Sequence, residues 1–173
     1  QVNYALLAGQ HIERLELTEA GAINATGNEF ANTLVGNSFT NALDGGGGAD
    51  VMEGGDGDDF YTVNVAGDLV TEAVNGGTDT VLASASYALT ANVENLELVG
   101  IDGSSGTGNE LANTLTGNLS GNVLDGGAGD DALYGHAGSD SLVGGSGADA
   151  KYGGEDSDTY SVDDLGDSVY EAF

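Results

Sequence analysis

A strict nine-residue period is the strongest pattern in the sequence, and it is clearest over residues 126–149. Three successive units there read GGAGDDALY, GHAGSDSLV and GGSGAD. Each has glycine at its first and fourth places, aspartate at the sixth and, where complete, an apolar residue at the eighth. The glycine-rich half suits turns with positive φ, which bring backbone carbonyls close to a ligand. The other half alternates polar and apolar residues, which predicts a very short strand with one side chain facing inward. Two units then form one coil of about eighteen residues, with the aspartates stacked along one edge.

The pattern G-G-x-G-x-D-x-U-x resembles the calcium-binding nonapeptide of the repeats-in-toxin (RTX) family. The resemblance covers nearly the whole chain, because the segments between the nonapeptides also occur in that family as longer coils. It implies an all-β fold, a right-handed parallel β-roll or β-helix solenoid. It also implies a calcium-binding module of a larger secreted protein, which a type I secretion apparatus exports unfolded and which extracellular Ca²⁺ then folds.

The charge of the chain restricts its partners. The sequence has 29 acidic residues against Arg14 and Lys151, for a formal net charge of −27. Phosphate binding needs a basic surface, so we expect neither nucleic acid nor, unless metal ions bridge the charges, anionic membranes as partners. A chain this acidic repels itself unless cations neutralise it, and Ca²⁺ is the hard cation that oxygen ligands favour. No cysteine is present, and no stretch approaches the roughly 20 apolar residues that a membrane span needs.

An internal duplication sets the predicted domain organisation. Residues 27–34 resemble residues 108–115, a shift of 108 − 27 = 81, and residues 54–61 resemble residues 153–160, a shift of 153 − 54 = 99. We predict a first repeat unit at 1–107, with a leading coil (1–26), nonapeptides (27–62) and longer trailing coils (63–107). A second unit at 108–173 has nonapeptides at 108–161 and the start of a trailing coil at 162–173. We expect one continuous solenoid, and we interpret the sequence as an excerpt from a longer array.

The eighth place of each nonapeptide is predicted to face the inside of the roll. In the first unit these residues are Leu34, Leu43, Met52 and Tyr61. Asp79-Thr80-Val81 recovers the same pattern after a two-residue insertion, and residues 82–107 alternate loosely enough to predict wider coils built from strands. Lys151 occupies an inward place in the second unit. Because a buried, unpaired ammonium is costly, we expect the coil to be locally out of register or open there.

The resemblance also implies a set of metal ligands. In the family each ion lies between two turns that are one coil apart. The earlier turn supplies carbonyls from its second and fourth places, the later turn supplies carbonyls from its first and third places, and both supply their sixth-place side chains. Carried over, this places Gly127, Gly129 and Asp131 opposite Gly144, Ser146 and Asp149; His136, Gly138 and Asp140 opposite Gly153, Glu155 and Asp158; and Gly46, Gly48 and Asp50 opposite Val63, Val65 and Asp68.

Further pairs of sixth-place residues extend this set. Asp59 with Asp79 and Asp149 with Asp167 complete the all-aspartate pairs. Four mixed pairs, expected to bind more weakly, are Asn32–Asp50, Asn41–Asp59, Asn113–Asp131 and Asn122–Asp140. The other turn positions predicted to belong to the metal sites are Gly45, Gly47, Gly54, Gly55, Asp56, Gly57, Gly126, Ala128, Gly135, Ala137, Gly145 and Gly147. The sequence thus predicts several Ca²⁺ ions, up to about nine.

Three other interpretations compete with this one. A disordered acidic spacer does not need phased leucines, so that interpretation applies only without calcium. A polysaccharide-modifying β-helix enzyme is disfavoured, because the aspartates repeat identically whereas an active site needs one distinct constellation, and neither His11 nor His136 has a positioned partner. We therefore predict no enzyme and no catalytic residue. An adhesive or surface-binding spacer of a large adhesin remains the alternative. The expected partners of the calcium-binding module are calcium ions and the flanking domains of the parent protein.

Overall fold

The computed structural model describes residues 3–171, and within that range every regular element is a strand. The chain divides into two compact units, Gln1–Leu82 with Thr90–Asn92 and Ala83–Leu89 with Val93–Phe173. The outermost ends of the predicted coils, residues 1–2 and 172–173, lie outside the described part.

The first unit contains two parallel sheets. One has the strand order β1 (Tyr4–Ala5), β3 (Ala25–Thr26), β5 (Ala42–Asp44), β7 (Phe60–Val63) and β9 (Thr80–Ala83), the last residue of β9 belonging to the second unit. The other has the order β2 (Arg14–Glu16), β4 (Thr33–Val35), β6 (Val51–Glu53) and β8 (Leu69–Thr71). Neighbours within a sheet are never consecutive in the chain, because the strands alternate between the two sheets as the chain coils.

The second unit repeats this arrangement. One sheet has the order β11 (Asn95–Leu98), β13 (Thr114–Thr116), β15 (Ala132–Ala137), β17 (Ala150–Glu155) and β19 (Ser168–Tyr170). The other has the order β10 (Tyr87–Ala88), β12 (Ser105–Thr107), β14 (Val123–Ala128), β16 (Ser141–Ser146) and β18 (Thr159–Ser161). The predicted all-β, parallel solenoid is confirmed.

The register follows the sequence period. Thr33 aligns with Val51 and Val51 with Leu69, a step of eighteen residues each time. Outside the nonapeptides the step is longer; it is 25 − 4 = 21 between Tyr4 and Ala25. A whole-coil repeat keeps every inward side chain inward, because a shift of one residue would turn each of them to the opposite face.

The core consists mainly of the stacked eighth-place side chains. Leu34, Leu43, Met52 and Tyr61 are at most 1% exposed, which confirms that these places face inward. In the second unit the same places hold four fully buried leucines, Leu115, Leu124, Leu133 and Leu142. The wider coils at 82–107 also contribute buried side chains, among them Val93, Leu96 and Leu98. Ile12 of the leading coil, by contrast, is 39% exposed.

The prediction of a broken coil at Lys151 was wrong. Lys151 aligns with Leu133 one coil earlier and with Val169 one coil later, so the register is continuous. Its side chain is fully buried. The ammonium is tolerated because it meets carboxylates, as described below.

A rank of tyrosines on the outer face was not anticipated from the sequence. Tyr134, Tyr152 and Tyr170 occupy aligned positions in β15, β17 and β19. Their rings stack with centroid separations of 4.8 and 4.6 Å. The ninth place of alternate units therefore carries an aromatic stack that adds contact between successive coils.

Replacing an inward leucine should cost far more stability than replacing its outward neighbour. Leu124→Ala removes a fully buried side chain, and such changes cost about 2–5 kcal/mol. Val123→Ala alters a neighbouring side chain that is 50% exposed and should change stability by no more than about 0.5 kcal/mol. Urea unfolding in saturating calcium measures both changes, and equal effects would contradict the assignment of inward and outward places.

Candidate metal centres

Two kinds of turn connect the strands of the nonapeptide regions. Six turns begin at Gly45, Gly54, Gly126, Gly135, Gly144 and Gly153, and we call these the aspartate turns. In all six the second and fourth places have positive φ, for example +80° at Gly46 and +107° at Gly48. His136 and Asp156 adopt the same left-handed backbone, at φ +76° and +80°, although they are not glycines. His136 is exposed, in keeping with a position that uses only its backbone.

The other four turns begin with Gly-Asn and have asparagine at the sixth place; we call these the asparagine turns, at 27–32, 36–41, 108–113 and 117–122. None of the residues at their second and fourth places has a positive φ. In the turn at 36–41 the Asn41 Oδ1 accepts the N–H of Asn37 at 2.7 Å, and the Asn41 Nδ2 donates to Ile23 O at 2.7 Å. The other three turns show the same pair of interactions.

The second-place asparagine of these turns reaches the previous coil. Asn37 Nδ2 donates to Glu19 O at 2.8 Å and to Gly21 O at 3.1 Å. Glu19 and Gly21 lie one coil of eighteen residues before the second and fourth places of this turn. Their carbonyls are therefore the second- and fourth-place carbonyls of the previous coil. In an aspartate turn the resemblance assigns carbonyls at these places to calcium. An amide NH₂ group therefore occupies the position of a cation, and the turn satisfies these carbonyls without one.

A ladder of hydrogen bonds brings the sixth-place residues together. The backbone N–H at each sixth place donates to the Oδ1 of the aspartate one coil later, with distances of 2.7–3.1 Å. The ladder joins all nine of the predicted pairs: Asn32–Asp50, Asp50–Asp68, Asn41–Asp59, Asp59–Asp79, Asn113–Asp131, Asp131–Asp149, Asn122–Asp140, Asp140–Asp158 and Asp149–Asp167.

The second carboxylate oxygen of the aspartate turns is the atom that fits a cation. Oδ2 is buried and has no hydrogen-bond partner at Asp50, Asp59, Asp131, Asp140 and Asp158. In an asparagine turn the equivalent oxygen accepts the second-place N–H, but positive φ at that place directs the N–H elsewhere in an aspartate turn. A buried, unpaired carboxylate oxygen is costly unless it is protonated or binds a cation. Carboxylate and carbonyl oxygens together suit Ca²⁺.

The electrostatics of these carboxylates agree with their geometry. Burial raises the pKa of Asp59 to about 7, opposed by the N–H of Asn41 and reinforced by the charge of Asp79. Burial likewise raises the pKa of Asp131 to about 6, and it raises those of Asp50 and Asp140 above their ordinary value. The raised pKa of Asp59 therefore lies near neutral pH, where a cation that binds its carboxylate competes with a proton.

Some predicted backbone ligands already have partners. Asn64 Nδ2 donates to Gly46 O, and Gly129 N–H donates to Ser146 O at 2.9 Å. The backbone of Val65 also meets the Asp50–Asp68 pair through its N–H, which donates to Asp68 Oδ2 at 3.3 Å. A carbonyl oxygen has a second lone pair, so these contacts do not prevent ligation.

Lys151 supplies a cation from within the chain. Its ammonium lies 3.0 Å from Asp167 Oδ2 and 3.6 Å from Asp149 Oδ2, and all three side chains are fully buried. Burial acts to raise the pKa of Asp167, but the Asp149 N–H and the ammonium outweigh it and hold the pKa below its ordinary value. The ammonium thus offsets one of the two negative charges of the Asp149–Asp167 pair without a metal ion.

Glu72 is a buried carboxylate that the sequence reasoning missed. It lies with Asp59 and Asp79 in a group whose potential ligand atoms are all within 4.8 Å of one another. Burial raises its pKa to about 8, with the charge of Asp79 as the next cause. A signal was available, because Glu72 falls eighteen residues after Gly54, at the first place of the turn one coil later.

A comparison with known families identifies the repeats. The family model described as the RTX calcium-binding nonapeptide repeat matches residues 26–61, 107–142, 116–150 and 131–160. Together these matches cover more than half of the chain. The chain belongs to the RTX calcium-binding nonapeptide repeat family. No curated protein and no solved structure matches it. Among the described residues of this RTX chain, no helix has the length and apolar character to span a membrane.

Calcium binding to the RTX turns should weaken as the pH falls. Between the ordinary aspartate pKa near 4 and the raised values of about 6 and 7 at Asp131 and Asp59, the folded chain without calcium holds protons that the unfolded chain releases. Its stability is therefore lost as the pH rises through that window, while calcium must displace the same protons. Calcium titrations at about pH 5.5 and 7.5 should differ at least about tenfold in apparent affinity. Equal affinities would contradict these raised pKa values.

Removing the internal ammonium should create an additional calcium site. Lys151→Met keeps an unbranched inward side chain but leaves Asp149 and Asp167 without their cation. Isothermal titration calorimetry should then find one more bound ion than in the parent chain. Leu133→Met, at the same inward place one coil earlier, is the matched control and should leave the stoichiometry unchanged. An unaltered stoichiometry in Lys151→Met would show that the ammonium does not compete with calcium.

Proposed function

We propose that this calcium-binding RTX module folds when Ca²⁺ fills its aspartate turns outside the cell, and that it serves as a folding and scaffold element of a larger secreted protein. The observation that carries the proposal is the set of buried Oδ2 atoms without a hydrogen-bond partner. They recur at one position of successive coils, so one kind of ligand satisfies all of them.

The energies support folding that depends on calcium. Leaving one buried charge without its partner costs about 3–5 kcal/mol, whereas a whole domain is stable by only about 5–15 kcal/mol. Two or three such carboxylates therefore outweigh the stability of a coil whose core receives one inward side chain per nonapeptide. Proton uptake offsets this cost at low pH, and calcium offsets it at neutral pH.

The ions should not fill all nine pairs equally. Lys151 contacts Asp149 and Asp167, and Asn64 Nδ2 donates to Gly46 O beside the Asp50–Asp68 pair. We infer that the two other all-aspartate pairs, Asp59–Asp79 and Asp140–Asp158, fill first. Lys151 offsets one of the two charges of the Asp149–Asp167 pair, and in the mixed pairs the asparagine oxygen already accepts an N–H. The mixed pairs would therefore bind calcium more weakly than the all-aspartate pairs. The loss of one negative charge lowers their affinity further.

A secreted location would make this dependence useful. Extracellular calcium modules bind at roughly 10⁻⁴–10⁻³ M, so such a module stays unfolded at low cytosolic calcium and folds after export. RTX repeat proteins are typically secreted by type I systems, and an unfolded chain suits such export. The family is a structural calcium-binding family, and flanking domains of the parent protein would carry any catalytic activity.

The adhesive alternative rests on the outer face. The outward places hold mixed residues such as Thr33, Phe60 and Ser141, which do not form a uniform rank. The stack of Tyr134, Tyr152 and Tyr170 is the one ordered rank among the outward side chains described above. Its rings bury their faces against one another, which supports a role in joining coils, and we retain the folding module as the function.

Circular dichroism during a calcium titration tests the proposal. After chelator treatment the chain should show a coil spectrum, and a β spectrum should appear near millimolar calcium but not with the same concentration of magnesium. Asp131→Asn should shift the midpoint to several-fold higher calcium, because Asp131 belongs to two pairs. Asp130→Asn, at the exposed neighbouring position, is the matched control and should leave the midpoint unchanged.

Two results would overturn the proposal. A β spectrum that persists in chelator would mean that the core folds without calcium. A coil spectrum that persists at high calcium would mean that the aspartate turns do not recruit the ion strongly enough to fold the chain.

A further inference from the structure

Glu72 places a third buried carboxylate beside one pair of sixth-place aspartates. Asp59, Glu72 and Asp79 are 0%, 8% and 0% exposed, and their potential ligand atoms lie within 4.8 Å of one another. Glu72 stands at the first place of its turn, where the nonapeptides have glycine, and it contributes a side chain where they offer a carbonyl. The ordinary pattern of two carboxylates between two turns is therefore altered here.

Three oxygens converge beside Gly54. A side-chain carbon placed on Gly54 would overlap Asp59 Oδ2, the Tyr61 hydroxyl and Glu72 Oε1. The Tyr61 hydroxyl donates to Glu72 Oε1, and Glu72 Oε2 accepts the N–H of Ala73 at 3.1 Å. Glu72 is therefore held in position from both of its oxygens.

One atom of the cluster has no such partner. Asp59 is fully buried, and its Oδ2 has no hydrogen bond. This oxygen and Glu72 Oε1 both lie beside Gly54, and Asp59, Glu72 and Asp79 each offer a ligand atom within 4.8 Å of the others. A fully buried carboxylate oxygen beside a second carboxylate is unfavourable without a cation, and it indicates a ligand rather than a surface accumulation of acid.

The chain contains a second copy of part of this arrangement. The 99-residue shift relates Gly54, Asp59, Tyr61 and Glu72 to Gly153, Asp158, Tyr160 and Glu171. The Tyr160 hydroxyl contacts Glu171 Oε2, and a side-chain carbon on Gly153 would overlap both Tyr160 and Asp158 Oδ2. Asp158 Oδ2 also has no hydrogen-bond partner. The same combination thus recurs wherever tyrosine follows an aspartate turn at the inward place.

We propose that Asp59, Glu72 and Asp79 form a calcium site with three carboxylate ligands, in which Tyr61 positions Glu72. The proposal rests on calcium binding by the chain as a whole. It deepens that function, because ligand charge tunes the affinity of oxygen sites for calcium. Three carboxylates exceed the charge of Ca²⁺ and equal that of a trivalent lanthanide. This site therefore binds Ca²⁺ more tightly than the two-carboxylate sites, and Tb³⁺ fills it first.

The test combines terbium luminescence with calorimetry on the full chain. Tyr61 lies beside the site, so excitation of tyrosine should sensitise the first equivalent of Tb³⁺. Tyr61→Phe should abolish that early emission and should keep the fold, because the ring remains. Tyr134→Phe changes a tyrosine of the outer stack and is the matched control. In calorimetry with Ca²⁺ the parent chain should show one ion bound at least about tenfold more tightly than the rest.

Glu72→Gln removes the third charge with little change in shape. It should lower the affinity for the tight ion to that of the two-carboxylate sites while leaving the total number of bound ions unchanged, and circular dichroism in saturating calcium checks that the variant folds. Glu53→Gln alters an exposed glutamate of the same unit and should change nothing. If Glu72→Gln keeps the tight ion, or if Tyr61→Phe keeps the early emission, the three-carboxylate site is refuted.

The outcomes separate this inference from the proposed function. If the parent chain neither binds calcium nor folds with it, the calcium module itself fails. If the parent chain folds with calcium but all its ions bind alike, and Glu72→Gln behaves as Glu53→Gln does, only the three-carboxylate site fails.

Discussion

Repulsion among carboxylates that are stacked one coil apart governs how this chain can fold. Each aspartate is fixed through Oδ1, which accepts the backbone N–H of the previous coil, as Asp50 accepts from Asn32 at 2.7 Å. This hydrogen bond belongs to the same ladder that sets the register, so the strands cannot pair without burying the carboxylates. The Oδ2 atoms of Asp50, Asp59, Asp131 and Asp140 are then confined beside the first-place glycine of their turn with no donor. Pairing and charge neutralisation are therefore one event, which is why a cation acts on the whole coil rather than on one loop.

The chain neutralises this charge in different ways at equivalent positions. Asparagine turns replace the cation with an amide NH₂ group, and Lys151 replaces it with an ammonium, while the aspartate turns leave an oxygen for a metal ion. The inward eighth place matters because a long side chain there reaches the first-place glycine. A carbon on Gly144 would approach Lys151 Nζ, as one on Gly54 would approach the Tyr61 hydroxyl. Leucine is too short and too apolar to do this, so the residue at the eighth place decides how the carboxylate is satisfied.

The nine-residue period was sufficient to predict the strands, the inward leucines and the proximity of the sixth-place residues, because each depends only on phase. It failed where the outcome depends on the reach of a side chain. The ammonium of Lys151 suggested a broken coil, since the sequence does not show that its four-carbon stem ends between Asp149 and Asp167. Glu72 was missed because the two-residue insertion before Asp79 hid the phase of its turn. The NH₂ groups of the asparagine turns were overlooked because their role depends on φ at the second place, which composition does not reveal.

The order of the turns along the chain follows from the same electrostatics. In both repeats two asparagine turns precede the first aspartate turns, at 27–41 before 45–59 and at 108–122 before 126–140. An asparagine turn satisfies its own second-place N–H and carbonyls of the previous coil, so it forms without metal. Its sixth-place N–H also donates to the sixth-place aspartate one coil later, as Asn113 N–H donates to Asp131 at 2.7 Å. Because neighbouring coils in a solenoid stabilise one another, a coil already satisfied by amides lowers the cost of ordering the first coil that requires an ion.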